Sequence, residues 1–433
     1  MTKSDKDKKK ILLNAFVMNT PGHLAPGLWK HPRNKTDQYK KLSFWTDLAQ
    51  LLDKAGFHAM FIADILGPYD VYKGPANFPV NDPLYLVPAM TAVTKNLIFG
   101  VTASVTYEQP YALARQLSTV DHLSEGHLAW NIVTFYLDSA ARNHGLKEQI
   151  PHDERYPIAH EHMGCLTSFW GKYFEVPGPH FCKPSPQRTP SLFQAGVSEA
   201  RHGFGGKHGE AIFVGGQTPE VRVTVDNVRK VAAEEGRDPN HIKIIVRINA
   251  IVAAAGEEAK AKREEYLKYA YGERALALFG GWTRVDLSGQ TDDEDFRFSE
   301  SPRVQSIVRR WSATLPGTDR LPWTKLGANV VGSPTTVADE LERWVEVSGV
   351  DGFNLAHITN PGTFEDIIEY LLPELRRRGL FRNEVGKEGA TAREDFIGSQ
   401  SLPKDHPGSR YGWHVGEKIP KYQLEDENGE IAT

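Results

Sequence analysis

Eight short apolar segments, each followed by a stretch with helical periodicity or room for one, run through this 433-residue chain. They lie at 11–17, 58–63, 97–105, 128–135, 191–195, 211–214, 242–253 and 352–357. Between the first two, Phe44, Leu48, Leu51, Leu52 and Ala55 mark one face of a helix that Gly56 stops. Further helices are predicted over 82–94, 111–123, 154–170, from 198 onward, and over 219–235, 336–347 and 364–378. Strict alternation implies a parallel sheet, because parallel neighbours need crossover connections. Eight such units predict a single-domain α/β protein, a closed (β/α)8 TIM barrel with insertions. An open doubly wound sheet is the alternative.

Three regions fall outside the pattern. Residues 1–10 form a polar Lys/Asp-rich tail, so the barrel domain is set at 11–380. Residues 280–330, with the acidic run 291–295, read as an insertion after the seventh strand, and 381–433 as a C-terminal extension with no clear element. A 40% hydrophobic content supplies a large core. The net charge of −4 lacks the basic excess of a nucleic-acid-binding surface. No apolar stretch reaches the ~20 residues of a membrane helix, and no secretory signal follows the first ten residues. Cys165 and Cys182 are too few for a disulfide scaffold. The expectation is a cytoplasmic protein.

In a TIM barrel the reacting groups stand at the carboxyl ends of the strands. There the chain places Asp64, Thr102, Asn131, Thr134, His152, Tyr156, Ser198 and His357. Each alone is compatible with a cap or a solvated loop residue; together they would face one mouth. Ser198 opens a helix directly after a strand, where free N–H groups and the helix dipole suit a phosphate. Gly196-Val-Ser198-Glu-Ala200 also approximates a G-x-S-x-G nucleophile elbow. With His357 after the last strand, that leaves a hydrolase open. Gly203-Phe-Gly205-Gly206-Lys207 lacks phosphate-loop spacing and reads as helix glycines. His160-Glu161-His162 puts its two imidazoles on different helix faces, so no metal site is assigned. No G-x-G-x-x-G follows the first strand.

Several motifs in order carry a resemblance. Asn14-Ala-Phe-Val-Met-Asn19, Gly22-His-Leu24, Gly27-Leu-Trp-Lys-His-Pro32, Phe61-Ile-Ala-Asp64, Trp130-Asn-Ile-Val-Thr134, His152-Asp-Glu-Arg-Tyr156 and Gln194-Ala-Gly196 resemble the bacterial-luciferase-like flavin monooxygenases. The branch is that of the nitrilotriacetate, dibenzothiophene-sulfone and long-chain alkane monooxygenases. The alkane type looks nearest, especially over 13–73 and 171–190. The resemblance implies a two-component enzyme in which a separate reductase delivers reduced FMN. O₂ would add at the flavin C4a, and the resulting peroxide would oxygenate a small organic substrate, a long-chain alkane among the candidates.

Carried over position by position, the resemblance implies a flavin site of Asp64, Thr102, His152, Tyr156 and Ser198. Tyr156 and Ser198 would hold the phosphate, with Asp64 and Thr102 nearer the ring and ribityl chain. His23 and Tyr69 match pocket residues of that branch, and Thr20 replaces a cysteine; these are the substrate-side candidates. Phe135 stands where relatives have serine, Tyr136 where the alkane type has histidine, and a segment is missing after Trp170. These departures favour a second alternative, a flavin-binding barrel with impaired catalysis. A homodimer or dimer of dimers is expected, with no metal, nucleic acid or membrane partner.

Overall fold

The computed structural model describes residues 9–69, 79–165, 172–174, 176, 182–196, 199–216, 218–283, 328–387 and 389–411. Its nine strands are β1 (Leu12–Met18), β2 (Ala59–Ala63), β3 (Ile98–Ser104), β4 (Leu128–Val133), β5 (Ser191–Ala195), β6 (Ala211–Val214), β7 (Lys243–Val252), β8 (Ala328–Gly332) and β9 (Gly352–Ala356). All pairings between them are parallel, and the sheet closes. β1 pairs with β9 through Leu12↔Gly352 to Phe16↔Ala356, β9 with β7, and β7 with β6. Closure sets aside the open sheet, and with it the scaffold that a nucleophile-elbow hydrolase needs.

The eight barrel strands are the eight predicted segments. β8 is an addition, at the edge of the region expected to be an insertion. Its residues pair with Ile248–Val252 of β7, whereas β6 takes Ala211↔Lys243 to Val214↔Val246. β9 occupies 245–249 on the other edge. The ten-residue β7 is therefore long enough to serve β6 and β8 in succession along one edge.

Alternation of side chains explains why each strand is apolar on both faces. On β1, Leu13, Ala15 and Val17 are fully buried under the helices, while Leu12, Asn14 and Phe16 face the lumen. The lumen is filled by Phe61, Phe193 and Phe213, with Phe61 and Phe213 centroids 4.2 Å apart. Gly100 makes room for this packing: a Cβ there would stand 3.1 Å from the Phe193 ring and 3.2 Å from that of Phe61.

The helices are α1 (Leu42–Ala55), α2 (Val87–Thr91), α3 (Pro110–Leu123), α4 (Asp138–Asn143), α5 (His152–Cys165), α6 (Glu199–His208), α7 (Thr218–Glu234), α8 (Gly256–Leu267), α9 (Gly272–Thr283), α10 (Pro334–Ser348), α11 (Gly362–Asp366), α12 (Leu372–Arg377) and α13 (Ala392–Ile397). α1 buries Phe44, Trp45, Leu48 and Leu52 and ends on Gly56 at φ 83, the left-handed stop that glycine adopts freely. The helix predicted over 82–94 is shorter than expected, a 3₁₀ turn at Leu84–Leu86 followed by five residues of α2. Thr91 bonds its hydroxyl back to the Val87 and Pro88 carbonyls, a competition that favours helix ends. The predicted start at 198 and the stretch 166–170 lie outside the described residues. α8 and α9 escaped sequence reading. α8 buries only Ala259 and Tyr266 and carries no apolar stripe.

The extension is also more ordered than its composition suggests. Thr391 caps α13 by accepting the Glu394 N–H. Ala392 donates its N–H to Gly126 O, ahead of β4, and Phe396 packs on Phe193 with centroids 5.1 Å apart. Arg393 is fully buried, with Nε 2.6 Å from Glu210 Oε1 and Nη1 2.6 Å from Gln187 O. Residues 381–387 and 389–411 thus close the amino-terminal end of the barrel, opposite the mouth. Among the described residues no helix is long and apolar enough to cross a membrane.

Candidate active site

Two adjoining cavities open at the carboxyl ends of the strands. The first, about 420 Å³, is walled by Thr20, His23, Tyr69, Asp82 and Arg274 among others. The second, about 230 Å³, is walled by Phe135, Tyr136, Tyr156, Gln194 and Gly196 among others. Asp64 lines both.

Asp64 leaves the end of β2, and its Oδ1 accepts the Ile65 N–H at 2.8 Å. Burial pushes its carboxyl up to about 7; the Ile65 bond opposes this, and the Asp82 and Glu108 carboxylates add to it. Thr102 lies deeper. Its hydroxyl donates to Ile62 O at 3.1 Å and accepts from Asn131 Nδ2 at 2.8 Å, which ties β2, β3 and β4 beneath Asp64. It lines neither cavity; its link toward the mouth is the β2 backbone.

Tyr156 is buried in the wall of the second cavity, one turn along α5 from His152. The His152 ring stands 5.4 Å from that of Tyr156, but His152 is exposed, faces Asp153 at 2.9 Å, and reaches neither cavity. Ser198 lies outside the described residues; α6 starts one residue later, and Gly196 of the second cavity turns the chain at φ 147. The glycines of α6 are packing glycines, as expected. A Cβ at Gly205 would meet Gln194 Oε1 at 2.6 Å, and one at Gly206 would meet Val231 Cγ1 at 2.6 Å. His160 and His162 do diverge: the first faces His208, the second Glu108 O.

In the wall of the first cavity, Thr20 and His23 follow β1. Both are buried at the polar atom, and neither Thr20 Oγ1 nor His23 Nδ1 has a hydrogen-bond partner among the described residues. His23 packs edge-on to Phe16 at 4.6 Å and lies 5.4 Å from His357. Burial, then the neighbouring His357 and Arg247, hold the His23 imidazole neutral, its pKa well below the usual histidine range. His357 donates from Nδ1 to Phe16 O at 3.2 Å, and burial lowers it to about 4. From just beyond the end of β9 it braces His23.

The Tyr69 ring rests directly on Gly281 of α9, where a Cβ would fall 2.2 Å from Tyr69 Cδ1. Gly281→Val must displace that ring. The expected result is about a 100-fold loss in kcat/KM, with about 1–3 kcal/mol lost from stability through overpacking. Unchanged kinetics would remove Tyr69 from the substrate wall.

Phe135 is non-glycine at φ 46, and its carbonyl accepts from Arg155 Nη1. Left-handed backbone at a bulky residue is costly and collects at functional sites. Sequence reasoning missed Asp82 and Arg274. Arg274 sits on α9, a helix with no predicted counterpart. Arg247, whose guanidinium burial lowers to about 10, did carry a signal: a cation inside the apolar run of β7.

Comparison with known proteins places this arrangement. A family model described as luciferase-like monooxygenase matches residues 22–352. The chain is 44% identical to a long-chain alkane monooxygenase of Geobacillus thermodenitrificans, over 93% of this chain and 98% of that one. It is 39% identical to a dimethyl-sulfide monooxygenase of Hyphomicrobium sulfonivorans, over 93% and 94%. The crystal structure of a riboflavin lyase with modified FMN and riboflavin superposes with a TM-score of 0.83, at 30% identity over 94% of this chain and 100% of that one.

Proposed function

We propose a function on one premise: the chain belongs to the luciferase-like monooxygenases. It is a monooxygenase, and the hydrolase alternative falls with that membership and with the closed barrel. Our reading is an FMN-dependent, two-component enzyme, supplied with reduced FMN by a separate reductase, that oxygenates a small organic substrate. A long-chain alkane is the first candidate substrate. We further infer a cytoplasmic homodimer or dimer of dimers.

The observation that carries the flavin assignment is the pair of cavities meeting at Asp64. Gln194, in the wall of the second cavity, keeps a buried Oε1 without a hydrogen-bond partner among the described residues, which suits a ligand rich in N–H and O–H groups. α6 begins at Glu199, close behind Gly196 of the second cavity, and a helix start suits a phosphate. These residues fit FMN.

Reduced FMN, when bound, supplies the electrons that activate O₂. The chain's task is to bind, orient and keep water out. Tyr156 and Ser198 would hold the phosphate, with His152 ordering Tyr156 from the rim. Asp64 would meet the ring, its position set by Thr102 through β2. Neutral His23, with Thr20 and Tyr69, would hold the substrate against it. Phe135 and Tyr136 close the second cavity with apolar surface and exclude water. Phe135 also favours a second reading, flavin binding with weak oxygenation, which predicts FMN binding without product.

The test is anaerobic titration with reduced FMN. Ser198→Ala should weaken binding by about 1–3 kcal/mol, roughly 5- to 150-fold. An unchanged Kd would remove Ser198 from the site, and no binding by the wild type would overturn the flavin assignment.

A further inference from the structure

We propose that Asp64 takes up a proton when flavin enters, and holds it at the boundary between the two cavities. The proposal rests on the flavin reading above. Of the described residues lining the cavities, Asp64 alone is common to both walls. A ligand that fills either side therefore displaces water from its carboxyl.

That carboxyl accepts one described hydrogen bond, from Ile65 N–H, which is too little to stabilise a desolvated anion. The surrounding charge is also unfavourable. Asp82, on the loop before α2, and Glu108, ahead of α3, both act on it as like charges. Among the described residues of the cavity walls the cationic side chain is Arg274 from α9; the other titratable groups there, beside the carboxylates, are His23, Tyr69, Tyr136 and Tyr156. His23 is held neutral. An incoming flavin phosphate, and a reduced ring entering as its anion, add negative charge. Protonation of Asp64 removes one of the repelling charges at the point both cavities share.

Burial has already brought the carboxyl to the edge of this change, with a pKa of about 7. The proton has a use in the overall reaction. Substrate, O₂, reduced flavin anion and one proton give oxygenated substrate, oxidised flavin and water. The Asp64 O–H can supply that proton to the oxygen that leaves as water, and solvent restores it when flavin exchanges.

The experiment measures protons rather than turnover. Reduced FMN is titrated anaerobically into the full-length protein by calorimetry, in two buffers of different ionisation enthalpy. At about pH 8 the flavin phosphate is already doubly ionised, so net uptake reports on the protein. The expected uptake approaches about one proton per flavin at pH 8 and falls at about pH 6, where Asp64 is already protonated. Asp64→Asn should bind flavin with no uptake at pH 8, and Asp82→Asn should retain it. Binding without uptake by the wild type, or uptake that persists in a folded Asp64→Asn, overturns the proposal. If Asp64→Asn does not fold, the wild-type contrast between pH 8 and pH 6 decides. Failure of the wild type to bind flavin would instead overturn the flavin reading, and this proposal with it.

Discussion

Acidification from pH 7 to pH 5 should strip several kcal/mol from the stability of this protein. The cause is a set of histidines buried in the neutral form. Burial lowers His208 to about 2, and His162 and His357 to about 4, from an ordinary 6.5. In the unfolded chain they titrate near 6.5, so below that pH the unfolded state binds more protons and stability falls. Each such group costs on the order of 2 kcal/mol by pH 5.

Geometry explains why they resist charging. His208 Nε2 faces His160 Nδ1 at 3.0 Å, a contact that accommodates one hydrogen, not two. His406 Nδ1 accepts the Gly408 N–H while its Nε2 donates to His208 O at 2.9 Å. A second proton on His406 would break the Gly408 bond and release the extension. Asp64 works in the opposite direction. Its folded pKa of about 7 stands above 3.8, so its contribution is present at low pH and is lost as pH rises toward 7. One carboxyl does not offset the histidines. Urea unfolding at pH 8, 7, 6 and 5 measures the slope. A midpoint that stays flat from pH 7 to 5 would contradict the neutral assignments.

Loss of the Arg393 side chain is the second large effect. Arg393→Ala leaves Glu210 buried, 2% exposed, with its main counter-charge gone. The Arg393 guanidinium now holds the Glu210 carboxyl below its ordinary range, although burial alone would raise it. The Gln187, Thr189 and Pro190 carbonyls lose their donors as well. Breaking a buried pair on one side costs about 3–5 kcal/mol. Glu210→Ala should cost a similar amount, and the double variant less than the two together, because each single change already breaks the same pair. Urea midpoints of the four proteins test this. Additive losses would mean that Arg393 and Glu210 act independently.

The sequence made the barrel legible because parallel strands buried on both faces are short apolar runs, and helices between them carry a periodic stripe. The eight strand segments, α1, α3, α7 and α10 were all readable on that ground. What escaped lacked the signal. α8 shows no apolar period, α9 runs into the region read as an insertion, and α13 is six residues whose stability comes from where Phe396 and Arg393 are inserted. β8 is short and finds its partner only because β7 outruns β6.

The candidate site divides in the same way. Asp64, Thr20, His23, Tyr69 and Tyr156 could be picked out because residues at strand ends, or within motifs shared with relatives, are local features of the chain. Which of them touch a cavity could not. Thr102 was legible near a strand end and His152 within a motif, yet one is committed to the Ile62 carbonyl and the other points to solvent. Arg274 reaches the first cavity from a helix more than two hundred residues beyond Asp64 in the chain.

By itself, then, the sequence determined the fold class, the order of strands and the inventory of polar groups at their ends, since periodicity and residue type are local properties. Tertiary structure alone decided that Asp64 borders both cavities, that seven dispersed histidines (His23, His58, His160, His162, His208, His357 and His406) are held neutral, and that the extension closes the far end of the barrel. Burial and charge at a given atom are sums over neighbours distant in sequence, and those neighbours meet only when the barrel closes.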